Sequence, residues 1–232
     1  MKLFGELYHR KMIRTWVRDR PEGWFLTSGA WSPFYFMFRE VPFFPDLFQY
    51  SVRALSELVT ELQAESRIDA LVGVASTGIP LAAGVSLNLN TPLAFTRKIS
   101  GVRTVADLDS TARQWGDHAM VEGQFRDGMN YLLVDDVVTG GASKSLARRQ
   151  VEFEAEKRGI ELHYVGTVVV VDRGFPGHQN DELKIRARHR FYDEVDQLLE
   201  FGGTHRETEV IRRYLERPEQ FQDETARLSL CT

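Results

Sequence analysis

The stretch YLLVDDVVTGGASKS, residues 131–145, holds the densest chemistry in the chain. Four apolar residues run into two carboxylates, Asp135 and Asp136, where a buried strand is expected to give way to a loop. Side chains alternate along a strand, so two adjacent acids cannot both face the same way if it stays regular. One is free to accept hydrogen bonds from ligand hydroxyls, and the other can hold a metal or add negative charge nearby. Val137, Val138, Thr139, Gly140, Gly141 and Ala142 lead to a helix start near Ser143. The glycines let backbone N–H groups turn inward, and the helix end and the Thr139 and Ser143 hydroxyls complete an anion cradle. Acids beside such a cradle suit a ligand with both a diol and a phosphate, as in a ribose 5-phosphate. A bare pair of acids most often just caps the following helix; a strand ending in D-D and followed by T-G-G rarely does. A nucleotide-binding P-loop is a poor fit because no glycine sits directly before Lys144.

The elements that must position this stretch alternate. IDALVGVA (68–75), TPLAFTR (91–97), YLLV (131–134) and LHYVGTVVVVD (162–172) read as buried strands. Helices are expected near 47–64, 80–88 and 143–158, the last closed by Gly159, and a short strand near 184–188 precedes a helix near 192–200. Residues 98–130 lack a clear period and read as one long loop. Before the first buried strand, residues 3–18 place apolar groups at near-helical spacing, and WFLTSGAWSPFYF reads as two short aromatic strands. Residues 204–232 form a charged tail, a helix interrupted at Pro218. Uninterrupted β-branched strands alternating with helices predict an α/β fold with a mostly parallel central sheet covered on both faces. In such sheets ligands bind beyond the carboxyl ends of the strands.

LLVDDVVTGGAS resembles the phosphoribosyl pyrophosphate (PRPP) loop of the type I phosphoribosyltransferases, with Gly140 where that family has threonine, serine or alanine. Other pieces, in family order over about residues 20–200, resemble the orotate phosphoribosyltransferase branch. FLTSGAWSPFYF (25–36) is similar to its N-terminal substrate segment, GVASTGIPLA (73–82) to its pyrophosphate loop, FTRK (95–98) to its Arg-Lys strand end and VDRG (171–174) to its Asp-Arg. The resemblance implies the three-layer type I phosphoribosyltransferase fold, with a small N-terminal hood at about 1–45, a core at about 46–203 and the tail beyond.

It also implies a set of roles. Asp135 and Asp136 hold the ribose hydroxyls, residues 137–143 the 5′-phosphate, and Arg97, Lys98, Ser76, Thr77 and Gly78 the pyrophosphate. Tyr35 and Phe36 flank the base, Arg173 grips its carboxylate, and Lys98 and His118 serve catalysis. Mg²⁺ is the implied cofactor, carried mainly by PRPP rather than by a protein ligand set, and a homodimer is the implied assembly. The departures fall where pyrophosphate leaves. Thr27 and Thr77 stand where the family has lysine, and the loop ISGVRTVADLDSTARQWGDHAMVEGQ contains none, leaving Arg103 and Arg113 as substitutes. Two alternatives stay open: transfer to another base, and a PRPP-binding sensor without turnover.

Composition bounds these readings. With 232 residues and a hydrophobic content of 43%, one large domain with an ample core is expected. The net charge of −4 argues against nucleic acid or an anionic membrane as partner. The single cysteine, Cys231, excludes a disulfide framework and fits a reducing cytoplasm. The charged first 20 residues predict neither signal peptide nor anchor, and His163, His178, His189 and His205 lack zinc-ligand spacing.

Overall fold

The protein is described from a computed structural model covering residues 1–26, 29–112, 119–174, 181–225 and 227. In chain order the elements are α1 Leu3–His9, β1 Ile13–Thr15, β2 Trp24–Phe25, β3 Trp31–Ser32, β4 Phe34–Phe36, α2 Pro45–Glu65, β5 Ala70–Gly73, α3 Gly78–Leu89, β6 Leu93–Thr96, α4 Val105–Ala112, β7 Val121–Glu122, β8 Met129–Val138, α5 Ala142–Arg158, β9 Leu162–Asp172, β10 Ile185–Arg190, α6 Phe191–Glu194 and α7 His205–Glu216. The chain divides into two compact units. One comprises Pro45–Asp172 and Gln179–Arg188; the other comprises Met1–Phe44, Arg173–His178 and His189–Thr232.

The first unit is built on a six-stranded sheet in the order β10-β9-β8-β5-β6-β7. The β6–β5, β5–β8 and β8–β9 pairs are parallel, and the short β7 runs antiparallel at the edge. Strands buried on both sides need apolar residues at every position, and Leu71, Val72, Leu132 and Leu133 are all fully buried. One face, with Val72, Val74, Tyr131 and Leu133, packs against Ala147 and Val151 of α5. Helix α3 packs on β5 and β8, and α2 on α3 and β9. The chain leaves β5 toward β6 on one side and later returns to β8 on the other. That reversal is the switch point at which α/β sheets open a crevice.

The second unit is aromatic. β1 pairs antiparallel with β4 through Ile13↔Phe36 and Thr15↔Phe34. Phe4, Phe34, Phe36 and Phe191 meet with ring centroids 4.9–6.4 Å apart. Its one fully enclosed acid, Glu207 in the first turn of α7, accepts hydrogen bonds from Thr15 Oγ1, from Tyr8 Oη at 3.1 Å and from the Thr204 amide at 3.1 Å. The Glu207 amide in turn donates to Thr204 Oγ1, closing a capping box. Burial, then the Glu207 charge, push the Tyr8 hydroxyl up to about 12.

Four local expectations are corrected. The helix over 3–18 stops at His9, because Lys11 turns the chain with φ +59° and Ile13–Thr15 pairs in a sheet instead. The aromatic stretch makes three strands, not two. The long loop contains α4 and β7, and Leu108 of α4 joins a small core of Ile99 and Met120 that also packs on Leu146 and Phe153 of α5. An Arg149–Asp109 ion pair of 2.8 Å pins α4 to α5. Finally, the acids do not end their strand. β8 continues through Asp135 and Asp136 to Val138, pairing with β9 as far as Asp172.

Candidate active site

The site is assembled at the carboxyl ends of β5 and β8. Register pairs Gly73 with Val134, so the turn after β5 lies beside the acidic end of β8. Gly78 shows how closely. A Cβ there would fall 2.5 Å from the Val134 carbonyl oxygen and 2.9 Å from Asp135 Oδ1, so only glycine admits this approach. Gly78 thus meets Asp135 at close range, with Ser76 and Thr77 just before it in the chain. The Ala75–Ser76 peptide is cis.

The two acids are finished differently. Asp135 is 5% exposed, and its Oδ2 lies 2.6 Å from Lys144 Nζ while its Oδ1 accepts the Asp136 amide at 2.9 Å. Asp136 Oδ1 accepts the amide of Val137 at 2.7 Å. Burial first, then the Asp135 charge and the hydrogen bond to Asp135, push the Asp136 carboxyl up to about 7; Lys144 and the Val137 amide pull the other way. Solvent still reaches part of the Asp136 residue.

Beyond them the chain opens. Thr139, Gly140, Ala142 and Ser143 are exposed, and a Cβ at Gly140 would meet nothing within 4 Å. Gly141 turns the chain at φ +81° into the 17-residue α5, whose N-terminus has no side-chain cap. An uncapped helix end with room in front of it is a place for an anion to bind. Val137 and Val138 are the last paired residues before that opening.

Other candidates fall at varied places. Lys98, just after β6, is exposed and forms no ion pair among the described residues. Arg97 beside it is engaged at the sheet edge, 3.5 Å from Glu122 and donating to the Ala119 carbonyl at 3.4 Å. His118, Arg113, Thr27 and Ser28 lie outside the described residues. Arg103 lends its amide to the Asp107 carboxylate at 3.0 Å, and that amide leads the Thr104 donors in holding Asp107 below the usual carboxylate range.

In the aromatic unit, Arg173 follows β9 directly in the chain and is 8% exposed. Its guanidinium lies over the ring of Phe34 at 4.5 Å and that of Phe36 at 5.9 Å. Nη2 donates to Ser32 Oγ at 3.3 Å, Tyr214 shares a hydrogen bond with it, and Nε has no partner. Among the described residues it makes no ion pair, and burial pulls its pKa below the ordinary arginine value. Tyr35 stacks on Trp24 with centroids 6.3 Å apart, and Phe36 meets Phe191 edge-on at 4.9 Å.

Lys144 is the site residue that sequence reasoning passed over. A lysine in the first turn of a helix ordinarily reads as a solvated charge. The available signal was that this chain has only six lysines, and one of them follows the cradle immediately.

Comparison with known proteins gives a consistent picture. Residues 46–187 match the family described as phosphoribosyl transferase domain. Orotate phosphoribosyltransferase of Bacteroides fragilis is 30% identical over 179 residues, covering 76% of this chain and 74% of that protein. The Pyrobaculum aerophilum orotate phosphoribosyltransferase is 32% identical over 149 residues, or 64% and 66% of the two chains. Among solved structures, the fold is similar to orotate phosphoribosyltransferase from Aeropyrum pernix (TM-score 0.62, 24% identity, 87% of this chain and 99% of that one). It is also similar to Leishmania donovani UMP synthase (TM-score 0.71, 20% identity), with 93% of this chain matching 42% of that longer protein.

Proposed function

Because the chain belongs to the phosphoribosyl transferase domain family, we propose that it transfers the 5-phosphoribosyl group of PRPP to orotate, giving orotidine 5′-monophosphate and pyrophosphate. It is a pentosyltransferase, and orotate is the acceptor its chemistry supports best. One observation carries that choice: Arg173 is a buried guanidinium with an unpartnered Nε, aromatic neighbours and, among the described residues, no carboxylate of its own. A buried cation left without a partner is costly, and a planar carboxylate ligand relieves that cost with two parallel hydrogen bonds. A neutral base offers no such group.

In this mechanism the ring nitrogen of orotate attacks C1 of PRPP as the C1–O bond to pyrophosphate breaks. Positive charge grows on the ribose and negative charge on the leaving group. Asp135 and Asp136 accept the ribose hydroxyls and stabilise the positive charge. Thr139 to Ser143 and the uncapped α5 terminus hold the 5′-phosphate, and Val137 and Val138 bring the chain to them. The Ser76–Thr77–Gly78 turn, Lys98 and, on release from Glu122, Arg97 take the pyrophosphate. His118 joins them from the loop, and Tyr35 and Phe36 flank the base. Each preorganised donor to developing charge contributes about 3 kcal/mol, so the sparing use of lysine leaves Lys98 with an unusual share.

Mg²⁺ fits as a substrate-borne ion. Among the described residues no three histidine, cysteine, aspartate or glutamate side chains gather to hold a metal. Mg²⁺ would ride on the phosphate oxygens and water, where it would supply neutralising charge for the leaving pyrophosphate. A homodimer is the assembly that the resemblance to orotate phosphoribosyltransferases implies. A cytoplasmic setting is supported by the lone cysteine; no helix among the described residues is long and apolar enough to cross a membrane.

The test is pyrophosphate release from PRPP and Mg²⁺ with orotate, uracil and purine bases in turn, beside calorimetric PRPP binding. Release with orotate alone is expected. Release only with a neutral base would overturn the acceptor, and PRPP binding without release from any base would leave a sensor.

A further inference from the structure

Lys144 makes more contacts than a helix-surface lysine would. It is 3% exposed, and its Nζ reaches Asp135 Oδ2 at 2.6 Å, Ser143 Oγ at 3.2 Å and the Val137 carbonyl. An ammonium has three protons, and all three are directed at acceptors. Those acceptors come from the first acid of the pair, the backbone beyond the second, and the cradle. Lys144 therefore ties strand end and cradle together while its charge stays inside the site. With the Asp136 amide on the other oxygen, both oxygens of Asp135 are fixed before any ligand arrives.

We infer that Lys144 is a positioning residue for phosphoribosyl transfer: it fixes Asp135 as an immobile acceptor and leaves Asp136 as the carboxylate free to meet the ligand. The inference rests on the reading of Asp135 and Asp136 as the ribose-binding acids. A ribose hydroxyl donates more strongly to a carboxylate than to a neutral carboxyl, so the binding form of Asp136 is the ionised one. Lys144 neutralises Asp135 beside it and so favours that form.

The charged groups that face Asp136 are few. Helix α5 brings Lys144. Helix α3 and its preceding turn bring only neutral residues from Ser76 to Leu89. The neighbouring strand β9 presents Val169 and Val171 opposite this part of β8. Within its own strand the charged neighbour is Asp135. The Asp136 carboxyl, pushed up to about 7 chiefly by burial, is thus opposed by one positive group, Lys144. Losing that group makes the carboxyl hold its proton to higher pH.

The experiment is a pH titration of aspartate carboxyls by carbon NMR in the ligand-free protein, paired with PRPP affinity from pH 5.5 to 9.5. It uses the unaltered chain, Lys144→Met and Lys144→Arg. In Lys144→Met the Asp136 midpoint and the acidic limb of PRPP binding should both rise by at least about one pH unit. PRPP affinity at pH 7 then falls about fivefold or more and is largely recovered by pH 9. Lys144→Arg, which keeps the charge, should leave both midpoints within about half a unit. Should Lys144→Met not fold, a Lys144→Arg limb displaced by a full unit would overturn the inference, because the charge would still be present. A folded Lys144→Met with unmoved midpoints, its affinity lowered equally at every pH, would reduce Lys144 to packing. An unaltered chain that binds no PRPP at any pH would instead sink the functional reading. The ligand-free titration would then still decide the link between Lys144 and Asp136.

Discussion

Arg173 and Lys144 are both buried cations, one in each unit, and they are completed in opposite ways. Lys144 is satisfied from within: a carboxylate, a hydroxyl and a carbonyl take its three protons. Arg173 has rings above it, a weak 3.3 Å bond to Ser32, a hydrogen bond with Tyr214 and an idle Nε. Folding rarely leaves a charge in that condition, because desolvation of an unpaired ion is a large loss. A satisfied buried ion therefore marks the scaffold of a site, and an unsatisfied one marks the place where a ligand completes the structure.

That contrast breaks first at Lys144. Replacing it with methionine leaves the Asp135 carboxylate buried and unpaired, and stability should fall by about 3–5 kcal/mol in urea unfolding at pH 7.5. Adding Asp135→Asn removes the stranded charge, so the double variant should recover most of the loss. A Lys144→Met protein as stable as the parent would mean that Lys144 is not paired as described.

The reverse is expected at Arg173. Its charge has no internal partner to strand, so Arg173→Ala should leave thermal stability unchanged or slightly raised. The loss should appear in catalysis, with kcat/KM for orotate down by about 2–5 kcal/mol in transition-state terms, roughly 30-fold to several-thousand-fold. KM for PRPP should change little. Orotate turnover that survives Arg173→Ala would remove the acidic acceptor from the mechanism, and a large drop in Tm would show that the guanidinium is structural after all.

Much of this was legible in the sequence, and the exceptions have identifiable causes. β9, α2 and α5 were readable because their apolar residues keep one period over ten residues or more, and Gly159 marks the end of α5 at φ +65°. The helix expected over 3–18 failed because Met12, Ile13 and Trp16 satisfy either period, and pairing of Ile13 with Phe36, distant in sequence, decided between them. α4 was hidden because its core contribution is small, with Leu108 its one fully buried residue. β8 looked finished at Val134 because carboxylates rarely continue a buried strand; its partner β9, apolar as far as Val171, holds the pairing past them. The D-D-V-V-T-G-G stretch points, from sequence alone, to an acid pair beside an anion cradle. The partner of Asp135 could not be read there, since it depends on which way the first turn of α5 faces, and that is fixed by Ala147 and Val151 packing on the sheet.

Asp136 gives the smallest and most discriminating test of the same contrast, because it is the acid that Lys144 does not pair. Its folded-state carboxyl holds a proton up to about 7, above the ordinary aspartate value of 3.8. A group whose folded value is raised contributes stability that is complete below the unfolded value and is lost as pH rises through the folded one. The ligand-free protein should therefore lose stability between about pH 4 and pH 7 on this account. Asp136→Asn, neutral throughout and able to keep the bond from the Val137 amide, should be spared that loss. The stability gap between Asp136→Asn and the parent should widen by about 1–2 kcal/mol from pH 5 to pH 8, allowing for the solvent that still reaches the residue. Tm measured at those two pH values checks it. A gap that stays constant would show that Asp136 is ionised at little cost, and the site would then hold two ordinary carboxylates rather than one secured by Lys144 and one left for the ligand.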